Sequence, residues 1–277
     1  MNRGQLVSII VTTRNEQDVI KKLLISVVRQ TYQNIEIIVV DNNSSDKTRE
    51  IAKRFTKKIF NFGPERSAQR NFGAKVAKGE YLLFIDADME LSKDVVKECV
   101  ELIEVNQKVG AISIKEESIA NTFWEKIKAF ERSFYNLEGD PATDAARFFS
   151  KKIFNKVGGY DESITGPEDW DLSDTIRKLE VKIGRISAII THRERVSSLF
   201  DLAKKKFYYA LRLHRYLEKQ KVSVVSSKTI YFLRPVFYKN PAKLISHPIL
   251  TLGMFIMLSF ELFAGGLGYL LGRFKKL

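Results

Sequence analysis

Residues 81–90, YLLFIDADME, set Asp86 and Asp88 directly behind the apolar run YLLFI. A carboxylate that loses its water without gaining a partner is costly. A buried strand that ends in D-x-D therefore either turns out into solvent or meets something positive. Upstream, LVSIIVTT (6–13) is a short β-branched run. Residues 16–30 then place Ile20, Leu23, Leu24, Val27 and Val28 at helical spacing, with Lys21, Lys22 and Arg29 on the other side. IEIIVVD (35–41) reads as a second buried strand, NNSSD as a turn, and Asp46 as the cap of a helix over KTREIAKRF. KKIFNF (57–62) is a short third strand, and after GPERSAQ (63–69) comes a helical stretch ending near Gly79. Downstream, Ser92 offers a cap for a helix striped by Val95, Val96, Cys99, Val100 and Ile103, and VGAISIK (109–115) is a further strand.

Strands alternating with helices predict an α/β fold, a mostly parallel sheet flanked by helices. Ligands of such sheets bind beyond the carboxyl ends of the strands. Asp41 ends one strand and Asp86 and Asp88 end another, so all three are expected at one crevice. The second half is less regular. Phe123, Ile127, Phe130 and Phe134 share a helical face, a packing stripe. ARFFSKKIFNKVGGYDE (146–162) is strand-like, then helical, and breaks at Gly158 and Gly159. GPEDWDLSDTIRKLE (166–180) opens a helix with acids in its first turn, and IGRISAIITHRE (183–194) is a last strand with His192 near its end.

The 277 residues are 44% hydrophobic, enough for a large core. A single cysteine, Cys99, excludes an internal disulfide, and three scattered histidines argue against a zinc cluster. The apolar run at the start is too short and too polar for a signal peptide, and reads as a core strand. The net charge of +13 is concentrated: residues 199–243 hold eleven Lys and Arg against Asp201 and Glu218, which leaves only +4 for the rest. Within 199–219, Phe200, Ala203, Phe207, Ala210, His214 and Leu217 follow helical spacing between the cations. A basic face serves nucleic acid or anionic lipid, and the neighbouring segment decides between them. PILTLGMFIMLSFELFAGGLGYLLG (248–272) contains no Lys or Arg and one acid, Glu261. About 20 apolar residues span a bilayer as a helix, so the basic segment is assigned to a membrane surface and not to nucleic acid. Two readings of the run stay open: a single span or deep membrane anchor, and a re-entrant hairpin. A single span would carry Arg273, Lys275 and Lys276 across, against the preference of cations for the cytoplasmic side. A re-entrant hairpin bent at Gly265 and Gly266 would return both ends to one side.

Two carboxylates around one residue at a strand end suit a hard divalent cation that shares substrate phosphates, although D-x-D also occurs in plain solvated turns. Context adds weight. VTTRNE, VVDNNSSDKT, ERSAQRNFGAKVAKGEYLLFIDADM, KVGGYDE and PEDWDL occur in this order, and together they resemble glycosyltransferase family 2, enzymes of the GT-A fold. The resemblance covers about residues 5–195 and leaves the last 80 or so outside. It implies that Thr12, Arg14 and Glu16 line a nucleotide pocket and that Asp41 reads the donor base. Arg66 and Arg70 are implied in the loop that approaches the sugar diphosphate, where guanidinium forks suit phosphate. Asp86 is implied near the ribose and metal, Asp88 as direct metal ligand, His192 as a further ligand, and Asp169 beside Glu168 as catalytic base. A Mg2+ or Mn2+ ion is the implied cofactor. Each residue also has a plainer reading: Arg66 and Arg70 as sheet-edge cover, Glu168 and Asp169 as complements of a helix dipole, and His192 as a surface histidine; Trp170 reads equally as a stacking platform for an acceptor sugar or as a core anchor.

The resulting expectation is a membrane-anchored, metal-dependent, inverting glycosyltransferase. Its partners are a nucleoside-diphosphate sugar, a hydroxyl acceptor on a lipid-linked glycan, and membrane lipids. Catalytic residues are expected in 1–198, a basic interface segment in 199–243 and an anchor in 244–277, with the catalytic domain on the cytoplasmic side. Direct transfer to a polyprenyl phosphate remains open, because a phosphate needs no base to attack. A sugar nucleotidyltransferase would show a Gly-rich loop near the first strand, and VTTRNEQDV has none. A non-catalytic sugar-nucleotide scaffold would have no use for Asp86, Asp88 and Asp169 together.

Overall fold

The computed structural model describes residues 4–136, 139–140 and 144–275. The chain runs through β1 (Val7–Thr13), α1 (Ile20–Val28), β2 (Ile35–Asp41), α2 (Thr48–Ala52), β3 (Ile59–Asn61), α3 (Arg66–Val76) and β4 (Tyr81–Asp86). It continues through β5 (Met89–Leu91), α4 (Val95–Val105), β6 (Val109–Ile119), α5 (Phe123–Arg132), β7 (Ala146–Ser150), α6 (Lys151–Lys156), α7 (Glu168–Arg177) and β8 (Lys182–Arg193). The C-terminal part adds α8 (Leu199–Ala210), α9 (Leu213–Gln220), α10 (Pro235–Tyr238), α11 (Pro241–Ser246) and α12 (Pro248–Lys275). These elements form two compact units. One comprises Met1–Glu116, Ala145–Glu162 and Leu172–His192; the other comprises Glu117–Asp144, Ser163–Asp171 and Arg193–Leu277. The boundaries drawn at 198 and 243 divide the chain in sequence, whereas packing interleaves its segments.

The first unit is built on a sheet in the order β3-β2-β1-β4-β7-β6-β8-β5. The half from β3 to β4 is parallel, as the strand–helix alternation requires. From β4 onward β7 and β6 pair antiparallel, and so do β8 and β5, so the whole sheet is mixed. The strand–helix alternation is confined to the first half of the chain, but parallel pairing is not: the Lys182 N–H donates to the Lys108 carbonyl and the Glu194 N–H to the Ile119 carbonyl, so β8 runs parallel to its neighbour β6. Side-chain period 2 divides the core. Ile9 and Val11 pack with Leu23 and Leu24 of α1 on one face. Ile10, Val40 and Phe84 pack with Ala74 of α3 and Phe154 of α6 on the other. At Gly73 an added Cβ would lie 2.4 Å from Ile10 Cγ2, so only glycine lets α3 lie this close to the sheet.

Register sets the crevice. Thr13 pairs with Asp41 and Thr12 with Asp86, so three carboxyl ends lie side by side. Asp46 is not the N-cap of α2, which is Lys47 without a side-chain cap; Asp46 lies one residue earlier and accepts the Thr48 N–H at 2.9 Å in a turn leading into the helix. Ser92 does not cap α4, whose N-cap is Asp94 and which has no side-chain cap bond. The Ser92 hydroxyl accepts from the Ile189 N–H instead, because β8 runs beside it.

In the second unit, α5 opens with a reciprocal Thr122–Glu125 capping box. Ile127, Phe130 and Phe134 are buried with Phe237, Met254, Met257 and Leu258, while Phe123 points outward. The single helix expected over 199–219 is two, α8 and α9, divided at residues 211–212. α12 runs unbroken through Gly265 and Gly266, so the hairpin does not form. It is long and apolar enough to cross a membrane. One side of it is held by the unit's other helices. Glu261 pairs with Lys128 of α5 at 3.1 Å and with Lys206 of α8 at 3.5 Å. Glycines bring α8 close: a Cβ on Gly268 would lie 2.3 Å from the Phe207 carbonyl oxygen. Backbone cannot yield as a flexible side chain does. Gly268→Val is expected to destabilise the protein by about 1–3 kcal/mol, read as a lowered urea midpoint with an unchanged slope.

Candidate active site

The crevice starts where β1 and β2 end. Gln69 of α3, 3% exposed, donates to the Thr13 carbonyl at 3.1 Å and to the Val40 carbonyl at 2.7 Å, tying the two strand ends together. Asp41 is fully buried. It accepts from the Thr13 hydroxyl at 2.9 Å and from the Ser44 N–H at 2.9 Å, and also from the Ser44 hydroxyl. Arg49 approaches it at 3.9 Å. Three donors take most of the carboxylate's acceptor capacity, so Asp41 shapes the loop after β2 through its own side chain. Thr12 is buried on β1 and Arg14 is exposed just beyond it. The Glu16 N–H is held by the Thr48 hydroxyl at 2.7 Å.

β4 ends at Asp86, a two-residue turn carries Asp88, and β5 resumes at Met89. Asp86 therefore turns into a positive surround instead of losing water alone. Arg70 Nη2 donates to it at 3.0 Å and Arg147 Nη1 lies 3.6 Å away. Both Arg66 and Arg70 sit on α3, not in a loop. Arg70 is 1% exposed, and its guanidinium lies 5.0 Å from the Tyr160 ring centroid. Gly158 and Gly159, at φ +83° and +74°, make the turn that delivers Tyr160, a structural role for GGYDE. Burial pushes the Asp86 carboxyl up, but Arg70, Arg147 and Arg66 outweigh it and hold its pKa well below the usual carboxylate range.

The chain of charge continues. Arg147 Nε donates to Glu116 at 2.7 Å, Glu116 lies 3.7 Å from His192 Nδ1, and His192 Nε2 lies 3.6 Å from Asp88 Oδ2. The pairing of Met89 with His192 across β5 and β8 sets that last approach. Glu116 and Arg147 were missed in the sequence. Arg147 left one signal, a lone charge inside the apolar strand ARFFS. Glu116 left none, because it lies in the charged run KEE.

Asp86, Asp88 and His192 were expected around a cation. Asp86 faces arginines, while Asp88 and His192 converge on each other. Among the described residues no three His, Cys, Asp or Glu side chains form a ready cation site. Magnesium-type sites commonly use one or two protein ligands and complete the shell with water and substrate phosphates. The Asp88–His192 pair, one carboxylate oxygen and one imidazole nitrogen, fits such an ion.

The Asp86 surround makes a pH prediction. A carboxyl whose folded pKa lies below its unfolded value stabilises the fold above the unfolded pKa. That stabilisation declines as pH falls toward the folded value. In chelator-containing buffer, the stability gap between wild type and Asp86→Asn is expected to be full above about pH 5 and to shrink below about pH 4. Urea unfolding of both proteins across pH 3–7 measures it, and a gap independent of pH would refute the arginine assignment.

Glu168 and Asp169 belong to the second unit, at the start of α7. Glu168 is buried and Asp169 half-buried. Asp171 is held by Lys219 at 2.8 Å and Gln220 at 2.6 Å, a structural clamp. Trp170 lies 5.7 Å from the Arg234 guanidinium and 6.4 Å from the Tyr216 ring, which supports its reading as an anchor.

Residues 8–158 match the model for glycosyl transferase family 2. The chain belongs to that family. Glycosyltransferase GlyA of Streptococcus pneumoniae is 26% identical over 230 residues, covering 74% of this chain and 33% of GlyA. A beta-monoglucosyldiacylglycerol synthase of Trichormus variabilis is 35% identical over 194 residues, 60% of this chain and 40% of that protein. The chain thus spans well under half the length of these two relatives. The mannosyltransferase PcManGT of Pyrobaculum calidifontis, solved with GDP-Man and Mn2+, superposes with a TM-score of 0.60 at 18% identity, covering 96% of this chain and 74% of PcManGT. That likeness shows the GT-A fold of this family 2 glycosyltransferase.

Proposed function

We propose that this glycosyltransferase is a metal-dependent, inverting enzyme that works at a membrane surface. It transfers a hexosyl group from a nucleoside-diphosphate sugar to a hydroxyl of a lipid-linked glycan. The observation that carries the reading is the Asp86–Asp88 turn at the carboxyl end of β4, with arginines on its first carboxylate and His192 on its second. Thr12, Arg14, Glu16 and Asp41 lie at or just beyond the ends of β1 and β2, and are assigned to the nucleotide. Arg66 is assigned to the diphosphate. Arg70 and Arg147 hold Asp86 ionised and orient it toward the ribose. Asp88 and His192 would hold a Mg2+ or Mn2+ ion, which offsets charge on the leaving diphosphate. Asp169, at the start of α7 with Glu168, takes the acceptor proton as its oxygen attacks the anomeric carbon from the face opposite the diphosphate. Direct displacement inverts that carbon. The Trichormus relative, named for a glucosylated diacylglycerol, supports a lipid-borne acceptor.

The test is incubation with a panel of sugar nucleotides and a membrane lipid extract, with and without divalent metal, followed by mass analysis of the lipid fraction and the anomeric proton coupling of the product by NMR. A metal-dependent product one sugar heavier and inverted at the anomeric carbon is expected. A sugar found only on polyprenyl phosphate would move the acceptor to that alternative. Donor binding without turnover on any acceptor would refute the enzyme reading.

A further inference from the structure

α12 has two faces of different fate. Met254, Met257, Leu258, Glu261, Ala264 and Gly268 are buried against its own unit. On the other side Leu252, Ile256, Phe260, Phe263, Leu267 and Leu270 are exposed, Phe263 at 72%. The spacing of these six is helical throughout, and no charge interrupts them. At 1.5 Å per residue the stripe from Ile249 to Leu271 is about 33 Å long. An apolar stripe of that length marks an interaction surface, not ordinary exposure.

Two observations choose its occupant. The flanking segment 199–243 carries a net +9. α8, packed along α12, bears the exposed Phe200, Lys204 and Tyr208 one helical turn apart. Aromatics and cations beside an apolar face suit an anionic headgroup layer. A second copy of the chain would instead bring two +9 segments together.

The interior face decides the orientation. Glu261 lies midway along α12, paired with Lys128 of α5 and Lys206 of α8. If α12 crossed a bilayer, Glu261 would lie near the midplane and draw both of these helices to that depth. Lys204, Lys205 and Asp201 of α8 would follow into hydrocarbon, where each ionised side chain is costly. Lying flat requires only the uncharged outer face to enter. Resting on the reading that the acceptor is presented by a membrane lipid, we propose that α12 lies in the plane of an anionic leaflet with its outer face immersed, and does not span it. Arg273 and Lys275 then stay in the headgroup layer, so no cations cross.

The test uses the full chain with sealed vesicles of phosphatidylcholine alone or mixed with phosphatidylglycerol. Leu252→Cys, Phe260→Cys and Leu270→Cys variants carry an environment-sensitive fluorophore; the native Cys99 is buried and does not compete. Flotation with the anionic vesicles is expected, and nitroxide-lipid quenching should place all three labels at one shallow depth. A midplane depth for position 260 between shallow ends would overturn the in-plane placement. So would failure to float accompanied by concentration-dependent dimerisation, which would assign the face to a second copy. The triple variant Phe260→Ser, Phe263→Ser, Leu267→Ser should fold normally, because all three side chains are exposed, and should partition at least tenfold more weakly. Partition equal to wild type would also overturn the proposal. Donor turnover measured without vesicles tests the catalytic reading separately. Intact turnover with failed flotation overturns the membrane placement alone, and shallow labels with no turnover overturn only the catalytic reading.

Discussion

Asp88→Asn is expected to reduce sugar transfer by about hundredfold or more while leaving the fold intact. Asp88 lies in the turn between β4 and β5, with its Oδ2 3.6 Å from His192 Nε2. The amide keeps the shape of the side chain and removes its charge. A divalent cation shared with a diphosphate depends on that charge, because water and phosphate complete its shell but do not fix it to the protein. Transfer rates across a range of Mn2+ concentrations, with circular dichroism to confirm folding, provide the check. Activity near wild type at ordinary metal concentration would remove Asp88 from the metal site.

Asp169→Asn is expected to lower kcat by about 10²–10⁴ and to leave donor affinity nearly unchanged. Asp169 is half-buried, and Glu168 and Asp171 remain to complement the helix N-terminus, so α7 should persist. A base acts on the acceptor proton, not on the bound nucleotide, which separates the two readouts. Turnover kinetics with calorimetric titration of the nucleotide sugar measure both. Lost donor binding with kcat retained would make Asp169 a donor-positioning residue. Full activity toward a phosphate acceptor, with loss toward a hydroxyl, would show that the proton-taking role depends on the acceptor.

The parallel half of the sheet was legible because each strand buries both faces and each helix buries one. Those demands write continuous apolar runs for the strands and a period of 3.6 for the helices into the chain between residues 6 and 105. The carboxyl-end acids were legible for the same reason, since a charge closing an apolar run shows where burial stops. The antiparallel half was less so. β5 has three residues, too few for a pattern, and its partner β8 lies about 100 positions away. α8 and α9 read as one helix because their apolar spacing continues across the break at 211–212.

The sequence alone determined the α/β class, the family resemblance, the Asp86–Asp88 turn and the concentration of charge in 199–243. These are properties of local pattern and composition, which need no knowledge of distant neighbours. Only the tertiary structure decided that Asp86 faces Arg70 and Arg147 and that Glu116 bridges Arg147 to His192. It likewise decided that Glu261, alone in an apolar run, is held by two lysines from other helices. A charge's partner is chosen by proximity after folding, across separations of 16 to 133 residues in these ion pairs. No periodicity along the chain encodes that choice.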